Sequence, residues 1–351
     1  MSDNRVRPRV IDFRPKPPAS DKEERPKVWK ATQLERAKPK TWLAKQRIPR
    51  AGVTVLVGDE GIGKSLFWVW IVAAITTGEA LPMFGIPKRS PQHVRLILTE
   101  DDWSTEVRPR LEVAKADLRY VDVVACSRDG SGSPVFPSDD MALLYEEPIP
   151  AFIVVDAWLD TVHGSLNVQM PQDARKALHP WKDLAVQLDA AVLLMTHTNR
   201  DTGSSARNKY GITGELRKKA RMTLFAQRDE RGQLVIGPEK ANGTAIVAAS
   251  MFTIDSVAVR EPTDDDDGTV PRLRYISDSD QDMREHAAGD MAPEAKWLIE
   301  FLCEEAKTSA EVFDAAKELG FKRHRIYVAS RSLKVKQERT GFQGKTMWSL
   351  P

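Results

Sequence analysis

Between about Trp42 and Ser277, short apolar runs alternate with longer segments whose apolar positions recur at helical spacing. The runs are bounded by turn-forming residues and read as buried strands, expected at 52–57, 93–99, 120–125, 151–156, 190–196, 221–227 and 233–238. Strands that alternate with helices predict an α/β fold built on a mostly parallel, twisted sheet. The pattern fails at both ends. Residues 1–38 carry many Pro, Arg and Lys but few apolar side chains, and read as a disordered tail. An α/β domain is therefore expected over 39–260.

The acidic stretches "EPTDDDDG" at 261–268 and "SDSDQD" at 277–282 mark 261–291 as a linker. Residues 292–351 read as a separate small domain. There Thr308-Ser309-Ala310-Glu311 has the form of a capping box, followed by Val312, Ala315, Ala316 and Leu319 at helical spacing and by Gly320 as a stop. In "FKRHRIYVASRSLKV" (321–335), Ile326, Ala329 and Leu333 share one face, with Lys322, Arg323, Arg325 and Arg331 largely on others. Two short strands are expected around Gly341 and Gly344. Trp297 and Trp348 are assigned to the core of this unit.

Composition narrows the setting. A chain of 351 residues with 41% apolar and 29% charged residues can bury a sizeable core and keep a charged surface. Its two cysteines, Cys126 and Cys303, cannot build a disulfide framework, which favours a reducing cytoplasm. The longest apolar stretch, Leu66 to Ile75, is too short for a membrane span, and nothing at the start has the pattern of a signal peptide. The net charge of +2 conceals basic ends: residues 1–50 hold 15 Lys/Arg against 6 Asp/Glu, and residues 321–351 hold 8 against 1. Such ends suit a polyanion, nucleic acid before membrane.

The chemistry starts at "VTVLVGDEGIGKSLFWVW", residues 53–70. Gly58-Asp59-Glu60-Gly61-Ile62-Gly63-Lys64-Ser65 fits the phosphate-loop pattern, set between a strand and a helix as that pattern requires. Glycines let backbone N–H groups turn inward around a phosphate chain, and the helix N-terminus faces the anion. Lys64 places its charge on the β- and γ-phosphates of ATP, and the Ser65 hydroxyl can ligate Mg2+. In "AFIVVDAW" the strand 152–155 delivers Asp156, positioned to hold the same ion through water. Ala157 follows where many phosphate-loop ATPases carry a catalytic glutamate. The carboxylate placed to activate water is instead Glu100 of "VRLILTEDDW", with Asp101 and Asp102 as rivals that also suit the first turn of the next helix.

Together, "GDEGIGKS", "LILTEDD", "FIVVDAW" and "LLMTHTNR" resemble the RecA-like ATPases, specifically the group around the plasmid replicative helicase RepA. The resemblance covers about residues 42–260. It implies a RecA-like core that assembles into rings, usually hexamers, with ATP at subunit interfaces. Residue by residue, Glu100 matches the catalytic glutamate, Asp156 the magnesium aspartate and His197 the histidine that senses the γ-phosphate; Thr196 stands where relatives often have a second histidine. Arg221 matches the arginine finger offered by a neighbouring subunit, and Lys240 a second basic residue on the same face, placed with the nucleotide-binding set. "TNRDTGSSARNKYG" resembles the inward loops that hold single-stranded DNA, with Arg200, Arg207 and Lys209 facing phosphates.

The C-terminal unit resembles a winged helix-turn-helix domain, in which Lys322, Arg323, Arg325 and Arg331 sit on the helix facing duplex DNA and Lys345 on the wing. The expectation is a cytoplasmic ATP-hydrolysing DNA motor, a RepA-like hexameric replicative helicase of a phage or mobile element. Its partners would be single-stranded and duplex DNA and copies of itself, with no membrane. Two alternatives stand beside it: a RecA-type recombination or repair ATPase, and an ATP-switched DNA-binding regulator without translocation.

Overall fold

Two short strands, β1 (Trp42–Ala44) and β2 (Ile48–Pro49), lead into β3 (Gly52–Gly58), which is buried along its whole length. The computed structural model describes residues 28–198, 219–283 and 293–350, apart from positions 35, 37, 38, 133, 137, 138, 169, 230, 281, 282, 304, 334 and 340–345. After β3 come helix α1 (Lys64–Thr77), β4 (Val94–Leu98), the short helix α2 (Arg108–Val113), β5 (Val121–Val123) and β6 (Phe152–Asp156). Helix α3 (Pro171–Gln187) and β7 (Ala191–His197) complete the alternation, followed by β8 (Met222–Arg228), β9 (Leu234–Ala241), β10 (Ser250–Ala258) and β11 (Thr269–Asp278). These strands form one nine-stranded sheet in the order β11-β10-β9-β8-β3-β7-β6-β4-β5.

The six strands from β8 to β5 are parallel, while β9, β10 and β11 extend the sheet in antiparallel fashion. This α/β arrangement, mostly parallel, fits a RecA-like core. Alternation across β3 sets the two layers. Leu56 faces a core made with Leu66, Phe67 and Ile71 of α1, whereas Val53, Val55 and Val57 face Leu178, Trp181 and Leu184 of α3. Helix α1 is apolar nearly all round because the sheet, α2 and β11 all lie against it.

Each of the seven expected strands is found. The acidic linker expected at 261–291 is corrected over part of its length. Thr269–Asp278 is the outermost strand of the sheet, paired with β10 from Ser250↔Asp278 to Ala258↔Thr269, with Val270 and Leu273 each 5% exposed. The run of aspartates is the tip of that hairpin: Asp266 accepts from the Gly268 N–H at 2.8 Å and Asp267 from the Thr269 N–H at 2.9 Å. Short side-chain turns of this kind replace the open chain that the charge pattern suggested.

Residues 293–350 contain helices α4 (Pro293–Leu302), α5 (Ser309–Glu318) and α6 (Arg323–Ser332) and strands β12 (Lys307–Thr308), β13 (Lys336–Arg339) and β14 (Thr346–Ser349). The strands form an antiparallel sheet in the order β12-β14-β13. The Thr308–Glu311 capping box is present, and Gly320, at φ 76°, follows α5. Trp348 is buried and Trp297 packs partly buried against the same core, stacked on Phe301 at 4.9 Å.

Candidate nucleotide-binding site

Strand β3 ends at Gly58, and the chain turns through 59–63 into α1. Two glycines make the turn possible. A Cβ on Gly58 would lie 2.6 Å from the Ala226 carbonyl of β8, and Gly63, the residue before α1, has φ +100°. The loop thereby aims the N-terminus of α1, with its unpaired N–H groups, at the carboxyl edge of the sheet, a ready anion site. Asp59, Glu60 and Gly61 are exposed there, Ile62 and Gly63 half-buried.

Lys64, only 5% exposed, donates from Nζ to the Gly58 carbonyl at 3.0 Å and the Asp59 carbonyl at 2.5 Å. Burial pulls its pKa below the ordinary lysine value, while Asp156, Glu100, Asp59 and Glu60 pull it back up. Lys64 Nζ also lies 3.2 Å from His197 Nδ1, and His197 Nε2 lies 2.6 Å from Glu100 Oε1. A ring that carries its hydrogen on Nε2 satisfies both contacts.

Next to this chain, Ser65 Oγ donates to Asp156 Oδ2 at 2.8 Å, and the same oxygen accepts from Trp68 Nε1 at 2.8 Å. Burial raises the Asp156 pKa, opposed by these two hydrogen bonds. A hydroxyl beside a buried carboxylate is a hard-oxygen donor set that suits Mg2+. Among the described residues, no group of three or more His, Cys, Asp and Glu side chains could hold a metal ion. Magnesium fits here as an ion shared with substrate phosphates, since it seldom occupies an all-protein cage.

The rivals of Glu100 have other partners. Asp101 pairs with Arg110 at 2.6 Å. Asp102 caps the turn that follows, accepting from the N–H and hydroxyl groups of Ser104 and Thr105, and the Ser104 hydroxyl leads in lowering its pKa to about 2. Glu100, exposed at the sheet edge, is the carboxylate that faces His197.

Two expected residues do not join this site within one chain. Arg221 bonds through its N–H to the Val53 carbonyl, level with the start of β3. Val53 is five residues before Gly58, about 17 Å along the strand. Strand β9 runs antiparallel and aligns Lys240 with Thr223, and Lys240 Nζ donates to the Ala220 carbonyl at 3.1 Å. Any contact of either residue with a phosphate loop must therefore come from another subunit. Arg200, Arg207, Lys209 and Lys345 lie outside the described residues. Lys322, Arg323, Arg325 and Arg331 are exposed at or on α6, with the Arg323 guanidinium 4.4 Å from the Phe313 ring centre.

Sequence reasoning missed three residues. Trp68 reads as an ordinary core residue, yet it stands four residues after Lys64 and three after Ser65, so helical spacing alone put it on their side of α1. Thr99 takes the Ala157 N–H at 2.8 Å and donates to Asp160 at 2.9 Å, fastening the end of β4 to the segment after β6. Thr198 donates to the Asp59 carboxylate, tying the loop to the residue after β7. No short-range signal marks the last two.

A family model described as AAA domain matches residues 19–203. That span contains the phosphate loop, Glu100, Asp156 and His197, and ends before Arg221 and Lys240. No curated protein matches the chain. Among the described residues no helix is long and apolar enough to cross a membrane.

Proposed function

The chain belongs to the AAA domain family of nucleotide-hydrolysing phosphate-loop ATPases, and from that premise we propose that it is an ATP-driven DNA motor. The reading is a cytoplasmic, RepA-like hexameric replicative helicase of a phage or mobile element. One observation supports its hydrolytic step: at the carboxyl edge of the sheet, Lys64 touches His197 and His197 touches Glu100 in an unbroken line beside the Ser65–Asp156 pair. A bare phosphate site needs the lysine and the loop. A line that continues through a histidine to an exposed carboxylate suits an enzyme that hydrolyses what it binds.

Lys64 and the inward N–H groups hold the triphosphate of ATP. Ser65 and Asp156 would hold Mg2+, which neutralises charge on phosphate oxygens when bound. Glu100 orients the attacking water and takes its proton. His197 holds Glu100 on one nitrogen and faces Lys64 with the other, so a change in what Lys64 contacts alters the hydrogen bonding of the ring. The next residue, Thr198, leads into the segment that carries Arg200, Arg207 and Lys209, proposed to grip single-stranded DNA. Arg221, with Lys240 at the same edge, acts on the phosphate loop of the adjacent subunit.

The helix and strand order of residues 293–350 supports a winged helix-turn-helix reading, and the exposed cations at and on α6 support duplex DNA as its ligand. The test is strand displacement from a forked DNA with ATP, Mg2+ and Lys64→Ala as the control. ATP-dependent release by the native chain alone supports a helicase. Hydrolysis with no release, accompanied by joint-molecule formation, would replace it with a recombination ATPase.

A further inference from the structure

A second concavity runs along the phosphate-loop helix. It is a cleft of about 210 Å3 between α1, α2 and β11. The cleft begins at Leu66, the residue after Ser65, and follows α1 through Val69 to Trp70, about 7.5 Å from Ser65 at 1.5 Å per residue. Leu273 of β11 adds to its apolar lining. Trp70 is half-buried and held by Phe84 and Phe252 in edge contacts, at 5.4 and 5.2 Å between ring centres. Two cations complete the walls. Arg110 pairs at 2.6 Å with Asp101, the neighbour of Glu100, and its Nε is buried with no hydrogen-bond partner among the described residues. Arg272 is paired more loosely: its side chain is 41% exposed and lies 3.9 Å from Asp255. Among the described residues that line the cleft, no side chain carries a hydrogen-bond acceptor.

We infer that this cleft seats the base of the bound nucleotide and accepts guanine as well as adenine, so that the substrates are purine nucleoside triphosphates as a class. The inference rests on the reading of Lys64 and Ser65 as the phosphate site. Two walls of the cleft adjoin that site, because Leu66 follows Ser65 and Arg110 binds the neighbour of Glu100. With its phosphates at the N-terminus of α1, a nucleotide extends its base away from them, and the cleft starts where the phosphate cradle stops. An apolar cavity of about 150 Å3 admits benzene, and about 210 Å3 suits a two-ring base. Contact with an aromatic wall does not tell bases apart, since every base has a π-face. Strong discrimination comes from polar groups placed for one base, which a wrong base leaves unpaired. Adenine is marked by its N6 amino donor, and no lining side chain can accept from it. Guanine presents two acceptors, O6 and N7, that suit the fork of Arg272. A lining whose polar side chains are all donors therefore sets no penalty against GTP.

The test is titration calorimetry of Mg-ATP, Mg-GTP and magnesium tripolyphosphate, the last carrying the phosphates without a base. GTP should bind the native chain within about tenfold of ATP. Trp70→Ala should weaken both nucleotides by about fivefold or more, while tripolyphosphate stays within about twofold of native. Ala114 lines the same cleft from the end of α2, so Ala114→Phe should block it with the same result, and that variant decides if Trp70→Ala does not fold. Arg272→Ala should cost GTP at least about fivefold more than ATP, since guanine loses two acceptor contacts. A native chain that binds ATP but binds GTP more weakly than that tenfold limit overturns the inference. So does native affinity for both nucleotides in the folded cleft variants, which would place the base elsewhere. Equal losses of nucleotide and tripolyphosphate in those variants also overturn it, because the cleft would then only support the loop. A native chain that binds none of the three ligands overturns the phosphate-site reading, and this inference with it.

Discussion

Replacing Trp68 with phenylalanine tests how the buried carboxylate is held. Trp68 is 1% exposed and its indole N–H is one of two donors to Asp156 Oδ2, at 2.8 Å. Phenylalanine keeps an aromatic ring in the core but removes the donor. A hydrogen bond to a charged group contributes about 1.5–3 kcal/mol, and its loss leaves a buried acceptor short of a partner. The control comes from the same fold. Trp158 is fully buried, and its Nε1 has no hydrogen-bond partner among the described residues. Trp158→Phe therefore removes the same volume and also relieves an unsatisfied donor.

Urea unfolding should show Trp68→Phe costing at least about 2 kcal/mol more than Trp158→Phe. The deletion should also move a titration. Asp156 already has a raised pKa, from burial, and loss of a bond to its charged form raises it further. At 1.36 kcal/mol per unit, the acid limb of ATP hydrolysis at limiting Mg2+ should move upward by about one to two pH units. Equal costs for the two variants, together with superimposable acid limbs, would refute the assignment of Trp68 as a support of Asp156.

Lys64→Ala should abolish hydrolysis and weaken ATP binding, since it removes the buried cation of the loop; turnover at the native rate in a phosphate-release assay would sink the phosphate-loop reading. Glu100→Gln should keep ATP affinity and lower kcat by about two to four orders of magnitude, whereas Asp101→Asn and Asp102→Asn should stay active because those carboxylates serve Arg110 and a turn. The reverse ranking would move the base to the other carboxylate. Arg221→Ala should bind ATP but hydrolyse it slowly, by about three orders of magnitude or more, and mixing it with Lys64→Ala subunits should restore part of the activity; no recovery in a verified mixed assembly would rule out a finger in trans.

The parts of this site that are legible in the sequence are contiguous. β3, the loop and α1 follow one another within residues 52–77, so apolar run, glycines, lysine and serine appear in the order in which they act. Asp156 ends a buried strand and Glu100 lies two residues past another, and parallel neighbours end at the same edge, so both are legible. What remained hidden depends on long-range pairing. Strand β11 contains Pro271, Arg272 and Arg274 and sits at the sheet edge with one side to solvent, so its apolar signal is weak beside the aspartate run that precedes it. Register fixes the distance of Arg221 from the phosphate loop. A strand read from sequence has a length but no neighbour, and only the β3–β8 alignment shows that Arg221 is level with Val53.

The same geometry explains why these residues can act together. Burial disfavours the charged form of Lys64 and, one residue along the helix from it, the charged form of the Asp156 that Ser65 contacts. Neither group relieves the other fully, because Asp156 is committed to Ser65 and Trp68 and Lys64 to the Gly58 and Asp59 carbonyls. A ligand that brings anionic oxygens to Lys64 and a divalent cation to Asp156 offsets both costs at once, so the fold is set to favour an anion and a cation arriving as a pair. Protons compete for one half of that pair. Since the folded pKa of Asp156 lies above its unfolded value, native stability falls as pH rises through that interval, where the folded chain holds the extra proton. A cation at Asp156 must displace the proton, so its affinity rises across the same interval. The conditions that make the isolated fold less comfortable are those in which the site binds best.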